Sequence, residues 1–276
     1  MLIRLALLFA SVAAAQTTLT PAQTLRIRNS SNLKFSPDGK LLAIEVREPI
    51  HGTAANSHIW VLQLASGDLR QWTNSAKSEN NPQWSPDGRY LAFLSNRDEN
   101  RQIYLMAING GEAERLTEAK QSIQSFQWSP DGKQIAFLAG EPKTEDEEKR
   151  EKDKADMHVA DRDEKHARLW SMDIASRKVQ QITKAPWRVQ EFDWIPGRSG
   201  FVVKATNRPE SDQWTDRIYI ASSDGAMTEL ASPPAPFRRL KFSPDGKQLA
   251  YYHLQATDQL RTICSSCPQP EAARRI

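Results

Sequence analysis

A ten-residue pattern built around Ser-Pro-Asp-Gly recurs along the chain and constrains its fold more than any other feature. The intact copies are FSPDGKLLAI from Phe35, WSPDGRYLAF from Trp84, WSPDGKQIAF from Trp128 and FSPDGKQLAY from Phe242. A degenerate copy, WIPGRSGFVV, begins at Trp194. The prolines of successive copies are separated by 49, 44, 66 and 48 residues. Removing about 22 residues from the long interval restores the common period, so the chain is an array of structural repeats.

Each intact copy has the chemistry of a type I turn, with Ser first, Pro second and Gly fourth. The predicted turn residues are Pro37, Gly39, Pro86, Gly88, Pro130, Gly132, Pro244 and Gly246. Apolar runs flank the pattern, so it joins two antiparallel strands. A third apolar run, such as IWVLQL from Ile59, and a more polar fourth run, such as LRQWT from Leu69, follow in each unit.

These repeats predict an all-β protein, a β-propeller of four-stranded antiparallel blades of about 45 residues each. The inner strands are apolar on both faces, as expected when every sheet packs between two neighbours. Four blades are complete, from about Asn32 to Ser232, and a partial fifth reaches about Ser265. An open ring leaves an uncovered blade face and unpaired edges. We therefore expect an incomplete ring, with a closed five-bladed ring as the alternative.

The chain divides into four predicted regions. Arg4 is the only charge before a short apolar run and Ala13-Ala14-Ala15, a pattern typical of an export signal. Thr20 and Pro21 have the residue types of a helix N-cap and first helical position. The regions are a signal peptide (1–15), an N-terminal segment with a short helix (16–30), the propeller blades (31–265) and an irregular tail (266–276). The predicted location is periplasmic or extracellular, and no membrane span is predicted.

A charged insertion, residues 141–168, lies between the second and third strands of blade three. It holds 11 acidic and 8 basic residues. This composition favours a solvated hairpin extension or a short exposed helix. The alternative is a rim element that contacts a neighbouring domain or subunit.

The composition excludes several classes of protein. A net charge of +3, without a basic stripe, argues against a nucleic-acid binder. No H-x-x-x-H motif or carboxylate-rich calcium loop occurs, so neither a metal nor a cofactor is predicted. Cys264 and Cys267 form a C-x-x-C pair without a surrounding βαβ pattern. They are interpreted as incidental thiols or a local disulfide rather than a redox centre.

The combination of motifs resembles a known enzyme family. LTPAQTLRIR precedes the first turn, and the insertion ends in HVADRDEKHARLW, followed by KVQQITKAPWRVQEFDW. From Leu19 to Leu254 the chain resembles the N-terminal half of secreted bacterial prolyl-oligopeptidase-family serine peptidases. The dipeptidyl aminopeptidase and acylaminoacyl-peptidase branch is the most similar. Tol-system periplasmic propellers share the turn, whereas WD-type propellers fit poorly because their Gly-His and Trp-Asp pairs are missing.

The resemblance implies a propeller that covers a C-terminal α/β-hydrolase domain with a Ser-His-Asp triad. The sequence contains no G-x-S-x-G elbow, and its nearest string, Gly197 to Gly200, lacks the second glycine in register. The five histidines have no triad context: His51, His58, His158, His166 and His253. We therefore predict no catalytic residue in this chain. The implied partners are the missing hydrolase domain and short peptides.

Rim loops of such a propeller begin just after each second strand, where charged groups could hold a peptide terminus. The weak candidates for substrate contact are Arg47, Glu48, Arg97 and Arg208. Ordinary solvated loop charges are the alternative explanation. Two other functions stay open: a Tol-type propeller that binds protein partners, and a propeller that binds a small molecule or metal.

Overall fold

A computed structural model of the protein describes residues 27–50, 55–152, 165–211, 214–234, 236–253 and 261–265. Within these ranges the predicted all-β fold is confirmed, because nineteen strands form five antiparallel sheets beside one short helix. The predicted signal peptide, the helix predicted at Thr20 and Pro21, and the tail lie outside the described residues. No helix in the described ranges has the length and apolarity needed to cross a membrane.

The first two blades are complete four-stranded meanders. Blade one contains β1 (Asn29–Phe35), β2 (Leu41–Arg47), β3 (Ser57–Gln63) and β4 (Asp68–Gln71). Blade two contains β5 (Glu79–Trp84), β6 (Tyr90–Ser95), β7 (Gln102–Ala107) and β8 (Glu114–Arg115). The strand order within each sheet is the order along the chain.

Blade three carries the charged insertion between its second and third strands. It contains β9 (Ile123–Trp128), β10 (Gln134–Gly140), β11 (Ala167–Asp173) and β12 (Val179–Gln181). A helix, α1 (Glu145–Lys152), lies within the insertion. Strands β10 and β11 pair continuously up to Gly140 and Ala167, so the insertion extends from an intact hairpin.

The last two blades continue the same arrangement. Blade four contains β13 (Arg188–Trp194), β14 (Phe201–Thr206), β15 (Arg217–Ala221) and β16 (Met227–Ala231). Blade five contains β17 (Phe237–Phe242), β18 (Leu249–His253) and β19 (Arg261–Ser265).

Each Ser-Pro-Asp-Gly turn is held by two layers of hydrogen bonds. In the first copy, the Gly39 amide donates to the Ser36 carbonyl at 2.9 Å and closes the turn. The Ser36 hydroxyl lies 2.7 Å from an Asp38 carboxylate oxygen and accepts the Leu41 amide at 2.9 Å. The same contacts recur in the other three intact copies. Turn closure and side-chain hydrogen bonding therefore act together in each of the four intact copies.

The hydrophobic core consists of four clusters, one between each pair of successive blades. Between blades one and two, for example, Ala43 and Val61 pack against Leu91 and Phe93. The turns stack in the same order. A Cβ on Gly132 would lie 3.4 Å from Pro86, and one on Gly88 would lie 3.7 Å from Pro37. Each blade is thus positioned by the blade before it.

The five sheets do not close into a ring within the described residues. Phe35 is 64% exposed, whereas its counterparts Trp84 and Phe242 are both 8% exposed. The incomplete ring expected from the sequence is therefore confirmed for the described residues, with Phe35 of blade one left exposed. The physical reason is that no described blade covers its outer face.

Candidate functional site

The predicted rim residues lie along one edge of the blade array. In each antiparallel meander, the connection between the second and third strands is at the end opposite to the Ser-Pro-Asp-Gly turn. The connection that enters the next blade reaches this same end, as the pairing of Glu79 with Ser95 shows. We call this the loop edge, and the opposite side the turn edge. The charged insertion also projects from the loop edge.

A buried carboxylate, Glu79, occupies the loop edge between blades one and two. Its side chain is fully buried, and its oxygens lie 2.7 Å from His58 Nδ1 and 3.0 Å from Arg97 Nη2. Burial of an isolated carboxylate would be costly, so the histidine and guanidinium partners account for its presence there. Ile123 and Val189 fill the equivalent position in the next two blades. This cluster was not predicted, although a glutamate at a repeat position that is apolar in blades three, four and five was a visible signal.

Arg97, one of the predicted rim residues, is committed to contacts within blade two. Its guanidinium lies 4.4 Å from the centre of the Tyr104 ring, in addition to its bond to Glu79. The Tyr104 hydroxyl donates to the Asp98 carboxylate. Burial, followed by this bond to Asp98, raises the pKa of Tyr104 to about 12. The tyrosine therefore stays protonated as a donor, and Arg97 is only partly available to a ligand.

The other three predicted rim residues have different environments. Glu48 accepts a bond from Arg28 Nε at 2.8 Å. Arg47 and Arg208 are exposed, and neither side chain makes a hydrogen bond or ion pair to the described residues. No two of the four predicted residues are joined by a hydrogen bond or ion pair in this part of the chain. Of the four, Arg47 and Arg208 are therefore the two that are exposed and have no side-chain partner among the described residues.

A second unpredicted cluster lies on the loop edge between blades four and five. The buried Asp216 carboxylate accepts bonds from Gln190 at 3.0 and 3.1 Å and lies 3.7 Å from Lys204 Nζ. The Lys204 ammonium is 4.8 Å from the centre of the Trp214 ring and 5.2 Å from that of Phe237. Burial lowers the pKa of Lys204, opposed by the charge of Asp216. Sequence could not reveal this cluster, because its members come from three strands and a loop.

Polar side chains also link successive inner strands. Gln83 Nε2 donates to the Phe126 carbonyl at 2.5 Å, and Gln127 Nε2 donates to the Phe192 carbonyl at 2.8 Å. At the same repeat position in blade four, Asp193 pairs with Lys241 at 2.8 Å. These hydrogen bonds and this ion pair join neighbouring blades. They therefore stabilise the packing of one blade on the next.

The loop edge therefore has side chains that can bind a charged ligand. The two described clusters contain no hydroxyl or thiol nucleophile paired with a base. His58 is bonded to Glu79, not to a hydroxyl or thiol. The described residues include no group of three or more His, Cys, Asp or Glu side chains placed to hold a metal. The exposed guanidinium groups of Arg47 and Arg208 suit carboxylate recognition, since arginine matches carboxylates through paired hydrogen bonds.

Comparison with known families gives a match over half of the chain. Residues 22–161 match the PD40 model, described as a TolB beta propeller domain. Two curated proteins share sequence with parts of the chain. The uncharacterized peptidase YuxL of Bacillus subtilis is 35% identical over 66 residues, which cover 24% of this chain and 10% of YuxL. Dipeptidyl-peptidase 5 of Porphyromonas gingivalis is 29% identical over 85 residues, or 30% of this chain and 12% of that protein.

Solved structures with the same fold include both TolB and peptidase propellers. TolB from Agrobacterium tumefaciens is 20% identical, with a TM-score of 0.60 over 83% of this chain and 72% of that one. Acylaminoacyl peptidase from Pyrococcus horikoshii is 18% identical, with a TM-score of 0.62 over 83% of this chain but 36% of the enzyme. The β-propeller domain of the Trilobed protease from Pyrococcus furiosus, which has an open velcro topology, gives a TM-score of 0.61 at 17% identity. That match covers 88% of this chain and 70% of that one.

Proposed function

Because the chain belongs to the TolB β-propeller domain family, we propose that it is the substrate-gating propeller region of an exported serine peptidase. The substrates would be short peptides, as in acylaminoacyl and dipeptidyl peptidases. The nucleophile and base would come from an α/β-hydrolase domain beyond the described residues. A propeller over such a site admits small peptides and keeps bulky proteins and bulk water away from the reaction.

One observation favours this proposal over the alternative of a Tol-type propeller that binds protein partners. Both curated proteins that share sequence with the chain are peptidases by name, and each match extends over tens of residues. The matched part is only 10% and 12% of their own lengths, so their activities come to this chain only as part of the proposal. The export signal predicted at residues 1–15 adds the location, which would be periplasmic or extracellular.

The DNA that follows codon 276 provides the direct test. We expect further Ser-Pro-Asp-Gly blades in one of the three frames, followed by a strand, a G-x-S-x-G motif and a helix. Asp and His codons for the rest of the triad should come later, in that order. A stop codon followed by an unrelated gene would contradict the proposal and make the protein a free-standing propeller.

We further propose that the loop edge receives the peptide, through the exposed Arg47 and Arg208. Calorimetric titration with a short peptide, as the free acid and as the C-terminal amide, tests this role. Arg47→Gln and Arg208→Gln should each weaken binding of the free acid about two- to fivefold, the range expected of exposed ion pairs. The amide should be insensitive. Arg89→Gln, on the turn edge, is the matched control, and an equal loss with that variant would contradict the assignment.

A Tol-type propeller that binds protein partners is the second candidate. It is favoured by the match to TolB from Agrobacterium tumefaciens, which covers 72% of that chain. The stop-codon outcome described above would support it.

A further inference from the structure

The third strands of blades two, three and four each carry an aromatic residue that faces the preceding blade. These residues are Tyr104, Trp170 and Tyr219, and each occupies the second position of its apolar run. Tyr104 and Tyr219 are buried in the clusters that join their blades to the preceding ones, whereas Trp170 is only partly buried. The junction of blades two and three is therefore an exception among the three.

The two tyrosine rings are covered by planar groups of the same chain. The Arg97 guanidinium lies 4.4 Å from the centre of the Tyr104 ring. The centre of the Trp187 ring lies 4.7 Å from that of Tyr219. Within the described residues, no aromatic ring or cation makes such a contact with Trp170. The Trp170 ring thus lacks the planar neighbour that the other two rings have.

This exception comes from the connection that enters each blade. The connection has the same length at three junctions, residues 73–79, 117–123 and 183–189, and runs from a buried threonine to the inner strand of the next blade. Trp187 is the fifth residue of the third connection, and Gln121 is the fifth residue of the second. A glutamine without a ring therefore occupies the tryptophan position at the junction of blades two and three.

A cavity of about 510 Å³ lies between blades two and three at this position. Its volume is within the range of small-molecule sites, about 300–1,000 Å³. Gln121 lines the cavity together with apolar side chains of both blades, which are Leu116, Phe137, Trp170, Met172 and Val179. The missing ring and the cavity thus coincide, and an apolar wall with a partly buried indole suits an aromatic group.

Charged side chains at the same cavity favour an anionic ligand. Three of them line it, and these are Glu118, Lys120 and Arg177. Glu118 lies 3.9 Å from Arg115 Nη2, so its charge has a partner. Lys120 is exposed, and its ammonium has no hydrogen bond or ion pair to the described residues. Arg177 Nη1 donates to the Arg115 backbone carbonyl at 3.4 Å, which leaves its positive charge unpaired. A carboxylate would pair with these cations.

We propose that this cavity binds a small aromatic carboxylic acid. The ring of the ligand would pack against Trp170 as Trp187 packs against Tyr219. Its carboxylate would pair with Lys120, which lines the same cavity. The inference goes beyond the proposed peptidase role and does not depend on it, because the cavity involves neither of the arginines assigned to peptide binding.

Calorimetric titration of the full chain with indoleacetate and with tryptamine tests the proposal, because the two probes share the indole ring and carry opposite charges. Indoleacetate should bind about three- to tenfold more tightly, since attraction to Lys120 is replaced by repulsion in tryptamine. Lys120→Gln should weaken indoleacetate binding about two- to fivefold and reduce the difference between the probes. Because Lys120 is exposed, this variant should fold and gives a result whether or not a larger substitution inside the cavity does.

Gln121→Trp places in the cavity the ring that the ligand would otherwise provide. It should abolish indoleacetate binding and raise the midpoint of thermal unfolding, as expected when a cavity is filled. Lys77→Trp is the matched control, since Lys77 is the fifth residue of the first connection. Tyr104 at that junction is already covered by Arg97, so this variant should bind indoleacetate like the wild type. Circular dichroism establishes that each variant is folded.

Three results would overturn the proposal. They are no binding of indoleacetate at millimolar concentration, equal binding of the two probes, and indoleacetate binding that survives Gln121→Trp. Binding that appears only after residues 153–164 are replaced by a Gly-Ser linker would also overturn it, because the charged insertion would then be the occupant of the cavity.

Discussion

At the scale of single residues, the aspartate of each Ser-Pro-Asp-Gly turn is held by the serine two positions before it. The serine hydroxyl, followed by the amide two residues after the aspartate, lowers the pKa of Asp38, Asp87, Asp131 and Asp245. For Asp87 the pKa falls from 3.8 to about 2. The carboxylate therefore acts as a fixed acceptor inside the turn at neutral pH.

This shift predicts a stability contribution that depends on pH. Because the folded-state pKa of Asp87 is depressed, its contribution is complete above about pH 4 and is lost as pH falls toward 2. Asp87→Asn should therefore lower the free energy of unfolding at pH 7 but make no difference near pH 2. Urea unfolding at several pH values measures this. Ser85→Ala should raise the pKa of Asp87, and a carboxyl titration midpoint near 3.8 in the wild-type protein would contradict the assignment.

A threonine at the end of the fourth run bonds to the third strand in three blades. Thr73, Thr117 and Thr183 accept the amides of Ile59, Ile103 and Leu169 at 2.8, 3.0 and 2.9 Å. All three hydroxyls are buried. These threonines end the runs LRQWT, AERLT and VQQIT, so their recurrence was a sequence signal whose meaning required the structure.

Thr117→Val should destabilise the protein by about 1–3 kcal/mol, because it leaves the buried Ile103 amide without an acceptor. The shape of the side chain is nearly unchanged, so the decrease in the free energy of unfolding measures the contribution of the Thr117 hydrogen bonds. Thr228→Val, on the exposed face of β16, is the control and should cost far less. The measurement is the free energy of unfolding in urea. Equal effects of the two substitutions would show that the bond to Ile103 is unimportant.

At the scale of elements, the described part of the charged insertion adds a short helix to a complete four-stranded blade. Helix α1 begins after Thr144, whose hydroxyl accepts the Glu147 amide at 3.3 Å while Glu147 accepts the Thr144 amide at 2.6 Å. This reciprocal capping box starts the helix. Lys165, on the returning chain, bonds to Glu147 at 2.8 Å and is the largest cause that lowers the pKa of Glu147 to about 2. Of the two structures favoured by composition, the short helix is present.

Replacing residues 142–165 by Gly-Asn-Gly should leave the propeller folded. Strands β10 and β11 already pair up to Gly140 and Ala167, and the length of a loop has a small effect on its closure entropy. We expect the free energy of unfolding to change by about 1 kcal/mol or less. Far-UV circular dichroism and urea unfolding measure the outcome. Loss of the folded state would show that the insertion supports the blade.

Glu141→Ala is the informative contrast to that deletion. Glu141 pairs with Arg168, whose side chain is almost fully buried at the base of the insertion. Removing the carboxylate leaves a buried cation with one fewer partner, so this single substitution should cost more than the whole deletion.

At the scale of the whole molecule, the described blades form an open array of five sheets. We predict that the purified chain does not hydrolyse chromogenic acyl-peptides, because its sequence has no nucleophile elbow. The assay is run with and without a serine-directed inhibitor. Hydrolysis that survives the inhibitor would contradict the proposed relationship to serine peptidases, whereas inhibitor-sensitive hydrolysis would show that the chain contains a serine nucleophile.

The sequence by itself determined the fold class, the number of blades and the position of each turn. These features are local, since four residues specify each turn and the apolar pattern of a strand specifies its faces. It also placed the insertion between the second and third strands of blade three and the end of the partial fifth blade near Ser265. Its four rim candidates were chosen only by position after a strand, and that rule could not distinguish the exposed Arg47 from Arg97, which is bonded to Glu79.

Only the tertiary structure decided which polar groups are buried together and which blade faces are covered. Glu79 pairs with His58 of the preceding blade, and Asp216, in a loop, pairs with Lys204, so the repeat could mark the position of Glu79 but could not reveal the partners in either cluster. The exposure of Phe35 likewise depends on the absence of a packed neighbour among the described blades, because its own repeat is indistinguishable from the buried ones. Burial is a property of pairs of blades, whereas the repeat is a property of each blade alone.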